Sequence, residues 1–534
     1  MKLKLISILF LIFTFGLVMA ACSSEQQDSS DTDDTASPDN EVENNEQSSG
    51  GELNIAVAAQ PPTLDTHLTT ATVALDVTRN IFETLVTMNE NYESVPMLAE
   101  SIDVSDDGKT YTFKLREGVK FHNDKEMTSE DVVASMNRWL EQSSRAKMLL
   151  SGATFEEVDP YTVQLNLQER ASDTLDVMAG QGQFAAIMPK EIIESATSEG
   201  VTETIGTGPF KFEEWKQDQY IHLSKFEDYK ASEEETSGYA GKKEALVDDL
   251  YYHIVSDTST RIAGIQTGEY DIAEQMSPDN YEQLLDTPNV ETYTYLSGTN
   301  SMFFNKKEGI MVDQTIRQAV NAALDMDQIM LASFAHEDLY DIHSSYNNPE
   351  QAYFVSENGQ DSYNQGDAEK AKQLLEEAGY NGEEVTMMAT RDYDHHYSAA
   401  VVVQEKLEQA GMNVNLEIYD WPTLNENMTD PDKWDIFFTS TGYVTTPSQL
   451  LALNTDFAGW PDDPTMIELL SSIRAAESQE KADEIWDELQ GYLLDEYVPI
   501  VSFGHYRSII ATSDKLEGFN VFRGTIPWNT SVKE

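Results

Sequence analysis

The stretch EEVTMMATRDYDHHYSAAVVVQEKLEQAGMNVNLEIYDWPTLNENMTDPDKWDIFFTSTGYV, residues 383–444, switches repeatedly between two periodicities. EEVTMMAT is a short apolar run that reads as a strand. HYSAAVVVQEKLEQAG reads as a helix ending on Gly411. MNVNLEIY is a second strand, and Asp420 and Trp421 come directly after it. Pro422 stands where the first residue of another helix would be, because its missing N–H costs nothing there. KWDIFFTS is a third strand, leading into Gly442 and Tyr443. Strand–helix–strand–helix–strand implies an α/β fold with a parallel sheet and right-handed crossovers. Ligands bind such sheets beyond the carboxyl ends of the strands. Those ends carry Arg391-Asp392-Tyr393, Asp420-Trp421 and Thr441-Gly442-Tyr443. Trp421 or Tyr443 alone is as consistent with capping the local core, but the two together favour a ligand wall.

Upstream, GELNIAVAAQPPTLDTH (51–67) predicts a strand, Leu53–Ala58, stopped by Pro61 and Pro62. SIDVSDDGKTYTFKLREGVKF (101–121) predicts a hairpin turning at Asp106-Asp107-Gly108, with Tyr111, Phe113 and Leu115 on one face. Its turn superficially resembles a calcium loop, but Lys114 stands where the bidentate glutamate belongs. MTSEDVVASMNRWL opens on a capping box, Thr128 to Asp131, and continues with Val132, Val133, Met136, Trp139 and Leu140 at helical spacing.

The amino terminus has a different character. Lys2 and Lys4 precede an apolar run from Leu5 to Val18, too short for the about 20 residues a bilayer span needs. A basic start, a short apolar core and small residues form a secretory signal, residues 1–21. VMAAC (18–22) resembles the lipobox of bacterial lipoproteins, in which the cysteine is lipidated and becomes the new amino terminus. Met19 stands where leucine is usual. Cys22 is the chain's only cysteine, so a lipid-anchoring role outweighs a chance occurrence, and no intrachain disulfide can form. More than one acyl chain gives a durable anchor. From Ser23 to Gly50 the sequence is Ser, Asp, Glu, Gln and Asn with almost nothing apolar, which predicts a disordered tether over 22–50. The body of the chain, from residue 51 onward, is expected to work on the extracytoplasmic face of the cell membrane.

The chain has 534 residues, with 95 acidic against 34 basic side chains and a net charge of −61. Phosphates would be repelled, so nucleic acid is excluded as a partner. The acidic excess is spread along the chain, which suits a solvated surface better than a localised cation trap. There is no Gly-x-Ser-x-Gly elbow, phosphate loop, paired cysteine motif or His-Glu-x-x-His, so no catalytic residue, metal ligand or cofactor site is assigned. His395 and His396 are adjacent, so a helix is expected to point them in different directions, at the surface.

Several blocks in order resemble the family 5 extracellular solute-binding proteins of bacterial ABC importers, which include oligopeptide, dipeptide and nickel binders. These are LAESIDVSDDGKTYTFKLREGVKFHNDKEMTSEDVVASMNRW (98–139), IGTGPFKFEEW (205–215), STRIAGIQTGEYDIA (259–273) and FFNKKEGIMVDQTIRQAVNAALDMDQI (303–329). Where the family usually has glycine, Asp124 stands after Asn123, a pair that can still turn tightly. Gly206, Gly208 and Pro209 suit a sharp crossing between domains. The resemblance implies a two-lobed clamshell, the type II periplasmic-binding-protein architecture in its large three-subdomain variant. It implies a first lobe at 51–85, 205–297 and 505–534, a subdomain inserted at 86–204, and a second lobe at 298–504. Cargo would be trapped by hinge closure and handed to ABC permease subunits in the membrane, and the protein is expected to be a monomer.

In peptide-binding members an extended peptide pairs its backbone with strands of both lobes. Trp421 matches a family tryptophan lining that cavity, and Tyr443 falls where a tryptophan commonly succeeds glycine. Many peptide binders carry an aspartate three residues further on, facing the ligand's α-ammonium. Here that position is Thr446. Either another carboxylate substitutes, Asp392 and Asp420 being the candidates, or the cargo lacks a free amino end. A metal chelate, a sugar oligomer or an opine-like cargo keeps the same fold. An anchored surface hydrolase and a receptor without a transporter are the other readings.

Overall fold

The computed structural model describes residues 50–533. The signal segment, Cys22 and nearly all of the tether lie outside the described residues. The predicted strand–helix–strand–helix–strand unit is present. Strands Glu384–Thr390 and Asn413–Tyr419 pair in parallel, as do Glu384–Thr390 and Ile436–Gly442. Helix Asp394–Gln409 joins the first two and buries Ala399, Ala400, Val403 and Leu407. The next helix, Trp421–Asn427, starts one residue earlier than expected, with Asp420 as its amino cap.

These three strands are one end of an eleven-stranded mixed sheet. At the other end, Glu52–Val57 pairs in parallel with Asp249–Ile254 and Ile272–Met276. Two long antiparallel strands, Val290–Phe304 and Ile500–Ser513, join the ends, in register from Val290 opposite Ser513 to Phe303 opposite Ile500. The Gly298–Phe304 part also pairs with Ile436–Gly442, while Ile509–Thr512 pairs with Ile272–Met276. Register shifts interrupt the long pair between Leu296 and Gly298 and between Asn300 and Ser301, where it passes from one end to the other. A bulge bends a strand and increases its twist locally. The result is a mixed α/β, two-lobed clamshell whose lobes share their central strands.

A separate four-stranded antiparallel sheet carries the hairpin. Val104 faces Tyr111 across the Asp106–Gly108 turn. Tyr111, Phe113 and Leu115 are buried, as their alternation predicts, with Phe121, Trp139, Phe155 and Leu165 packed around them. Both halves of the Thr128–Asp131 capping box form at the start of helix Ser129–Gln142. The tight turn also forms: Asp124 adopts φ +66° and its N–H donates to the Phe121 carbonyl at 2.9 Å.

The glycines at 206 and 208 are explained by close approach. A Cβ on Gly206 would lie 2.1 Å from the Ile81 carbonyl oxygen, and one on Gly208 would lie 2.4 Å from that of Asn80. The Gly208 and Phe210 N–H groups donate to the Ile81 and Asn80 carbonyls at 2.8 and 3.1 Å, and this pairing requires the contact. No helix among the described residues is long and apolar enough to cross a membrane.

Candidate functional site

Parallel pairing sets the carboxyl ends of the three strands on one side of the sheet, and the ends of the first two touch. Trp421 is half-buried and meets the Tyr393 ring edge-on at 5.2 Å. Tyr393 is 42% exposed. Asp392 accepts a 2.7 Å hydrogen bond from the Trp421 backbone N–H. Asp420 accepts from the Thr423 N–H at 2.9 Å and the Thr423 hydroxyl at 3.0 Å, bonds that hold its carboxyl below the usual range. Both carboxylates are exposed, and each carries a local structural bond that fixes the tryptophan and the helix behind it.

Tyr443 lies inward, 7% exposed, and its hydroxyl is 2.8 Å from His505 Nδ1. His505 Nε2 lies 3.0 Å from the Ser345 carbonyl oxygen, which can only accept, so the ring carries its proton on Nε2 and Tyr443 donates to Nδ1. Burial pushes His505 down to about 3 and Tyr443 well above its ordinary range, so both are neutral near pH 7. Thr446 is 1% exposed; its hydroxyl accepts from Gln449 Nε2 at 3.0 Å and lies 3.1 Å from Ser448 Oγ.

The histidine pair corrects the expectation of divergent surface residues. His395 and His396 are both partly or fully buried, their rings 4.3 Å apart and edge-on. Their Nε2 atoms lie 3.2 and 2.9 Å from one oxygen, Ser440 Oγ. They sit in the first turn of the Asp394–Gln409 helix, above the end of the Ile436–Gly442 strand, so both rings fold back over that strand. Burial lowers His395 to about 4 and holds His396 well below its ordinary value. A serine against imidazole is also the beginning of a nucleophile–base pair, which needs a third group to orient the base. His396 Nδ1 is buried with no partner, and among the described residues no carboxylate holds either ring.

Sequence reasoning also missed the far side of this cluster. Tyr506 stacks on Phe334 at 5.2 Å and lies 5.7 Å from His395. His505 and Tyr506 belong to the long crossing strand, next to Gly504, whose φ is +155° and whose Cβ would lie 2.8 Å from the Asp341 carbonyl oxygen. A glycine inside a strand pattern was the available signal.

Segments far apart in sequence touch beside Tyr443. Arg474 Nε lies 3.1 and 3.0 Å from the two Asp173 carboxylate oxygens, and the Ser448 hydroxyl donates to the same carboxylate. The Ser172 N–H donates to the Arg474 carbonyl at 2.9 Å, and the Ala352 N–H to that of Asn91 at 3.3 Å. Arg523 Nη2 donates to the Tyr443 carbonyl at 2.9 Å. Segments far apart in sequence are therefore tied together beside the Tyr443 strand end.

Residues 93–460 match the profile of the bacterial extracellular solute-binding proteins, family 5. A probable peptide ABC transporter periplasmic-binding protein, y4tO of Sinorhizobium fredii, is 29% identical over 485 residues, 87% of this chain and 90% of the relative. The oligopeptide-binding protein AppA of Bacillus subtilis is 28% identical, over 81% of this chain and 79% of its own length. Among solved structures, the binding protein AgaA of A. tumefaciens R10, in complex with agropinic acid, superposes with a TM-score of 0.75 at 26% identity, covering 91% of this chain and 99% of AgaA. With the profile spanning more than half of its length and the two-lobed fold in place, this chain belongs to the family 5 bacterial extracellular solute-binding proteins.

Proposed function

We propose that this chain is a lipid-anchored extracytoplasmic receptor of an ABC importer, which closes on a peptide or similarly elongated solute and delivers it unaltered to a membrane permease. The family match and the peptide-transport names of y4tO and AppA support the cargo class. The observation that carries the closing motion is the long strand pair with its register shifts at Leu296/Gly298 and Asn300/Ser301. Those shifts also support lobe limits of 51–85, 205–297 and 505–534 against 298–504, with 86–204 as the inserted subdomain. Cys22, mature and acylated, supplies the anchor; mass spectrometry of the amino-terminal peptide and its loss in Cys22→Ser test this.

Trp421, Tyr443 and Tyr393 form the cargo wall in this reading, and Thr446 replaces the acid that would meet an α-ammonium. Either Asp392 or Asp420 exchanges its backbone bond for the ammonium, or the cargo has no free amino end. Calorimetric titration with matched free and N-acetylated peptides separates the two. A strong preference for the free amine that survives both Asp392→Asn and Asp420→Asn contradicts this reading of the amino end. The AgaA complex favours one second reading, a small non-peptide acid in the same cleft. Native mass spectrometry of the solute retained through purification decides between them.

A further inference from the structure

Lys243 is 3% exposed, and among the described residues no hydrogen bond or ion pair engages its ammonium. A buried cation without an acid is costly, and it stands out in a chain with 95 acidic side chains against 34 basic ones. Its Nζ lies over the Trp528 ring, 4.4 Å from the centroid. Trp528 is 6.4 Å from the ring of Tyr239, and the Arg79 guanidinium covers Tyr239 at 4.7 Å. Arg79 is 7% exposed. Its Nη1 donates to Asp76 at 2.7 Å and its Nε to Gln181 at 3.2 Å, while Nη2 makes no hydrogen bond. Two buried cations therefore flank one pair of rings.

These four side chains line one cavity of about 20 Å³, bounded also by Glu83 and Gln181. No residue of 298–504, the part that carries Trp421 and Tyr443, lines it, so it is separate from the cargo wall. A site for one water needs at least about 10–15 Å³, so this space takes a single monatomic ion or a water and excludes a carboxylate, a phosphate or a peptide. The one acid on the wall, Glu83, accepts from the Thr207 hydroxyl at 2.9 Å and the Tyr229 hydroxyl at 2.8 Å and forms no ion pair with Lys243. The Tyr239 hydroxyl and the Trp528 indole N–H are buried without partners. Lysine, arginine and tryptophan only donate, so donors are in surplus. The wall itself carries two cations against one acid, with Asp76 standing behind Arg79. A water would need acceptors for its own hydrogens. A halide accepts from every side, donates nothing and cancels the excess charge. Burial lowers Lys243 to about 8, which leaves it mainly charged at pH 7.

We propose that this cavity binds a single halide ion, chloride in a physiological medium, held between Lys243 and Arg79. The site is independent of the solute-binding reading above. The ion is a structural ligand. It joins the segment around Arg79 and Glu83 to Gln181, to the 239–243 segment and to Trp528, which are far apart in sequence. An ion that binds only the folded chain stabilises it with the logarithm of its concentration once that exceeds the dissociation constant.

The test uses the full mature protein, with bromide as the probe in diffraction and chloride in melting. Crystals grown in sodium bromide should show an anomalous peak in the cavity, within hydrogen-bond distance of Lys243 Nζ and Arg79 Nη2. A water there with no anomalous signal would overturn the proposal. Melting in sodium chloride and in sodium gluconate at equal ionic strength separates binding from screening, because the sodium that screens this acidic chain is the same in both. Chloride should raise the melting temperature by about 2 °C over gluconate, the scale of a tenfold excess over the dissociation constant in a chain this long. Lys243→Met keeps the length of the side chain without its charge and should abolish that difference. Loss of a merely structural lysine would lower the melting temperature equally in both salts and leave the difference intact. Equal melting of the native protein in the two salts, or a chloride response that survives in Lys243→Met, would overturn the proposal. If Lys243→Met does not fold, bromide diffraction from the native protein decides alone.

Discussion

Replacing Asp173 with alanine should open the cleft. Its side chain is 4% exposed and faces Arg474, which is 26% exposed, with both carboxylate oxygens within 3.1 Å of Arg474 Nε. The Ser448 hydroxyl donates to the same group, so one carboxylate gathers two donors from across the interface. Arg474 also donates through Nη2 to the Leu149 carbonyl at 2.6 Å, which keeps its guanidinium in place when the acid is removed. Breaking a fully buried pair costs about 3–5 kcal/mol. A fully exposed pair is worth about 0–1 kcal/mol. With one partner buried and the other a quarter exposed, the loss should be roughly 2 kcal/mol, a shift of about 30-fold from closed to open. Asp173→Asn, which keeps an acceptor for Ser448 but loses the charge, should fall between alanine and the native residue. Calorimetric titration with the solute recovered from the protein should show the weaker affinity. Small-angle scattering of the empty protein should show a larger radius of gyration. An affinity within about twofold of the native protein, with unchanged scattering, would refute the claim that this pair latches the lobes.

Burial of neutral histidines should make the fold acid-sensitive. His505 is fully buried and depressed to about 3, so the unfolded chain takes up protons first as pH falls below about 6.5. The stability it contributes is complete above that pH and should be lower by roughly 2 kcal/mol at pH 5, read by denaturant melts and flattened in His505→Gln. Glu274 runs the other way. Burial, and after it the neighbouring Asp76 charge, push it up to about 8, so its contribution is complete below about 4.5 and is lost as pH rises through 8. Glu274→Gln should therefore raise the melting temperature at pH 8.5 and leave it unchanged at pH 4; an equal change at both would rule out titration as the cause. Gly206→Ala forces a Cβ to within 2.1 Å of the Ile81 oxygen and should cost several kcal/mol in a chemical melt, about the upper range for a single substitution.

Elements set by local chemistry were legible in the sequence. The separate strands and helices of the 383–444 unit, the Asp106–Gly108 hairpin and the Thr128 cap are written in local pattern, and each formed within a few residues of where expected. The crossing pair was not legible, because Val290 meets Ser513 across more than two hundred residues and nothing in either segment names the other. The histidines were misread for a related reason. Their spacing on one helix is local, but the Ser440 hydroxyl that draws both rings inward belongs to another strand. Asp420 lies between these cases. Its position before Trp-Pro marks a helix cap, so the bond to Thr423 was readable even though a ligand role drew more weight.

The central claim is that the lobes close around a solute that leaves unchanged. Scattering from the stripped protein, before and after the recovered solute is added back, tests it most directly when the solute is afterwards analysed by mass. The radius of gyration should shrink on binding and the solute should return with its original mass. Identical curves with and without solute, or a solute converted to a new compound, would contradict it.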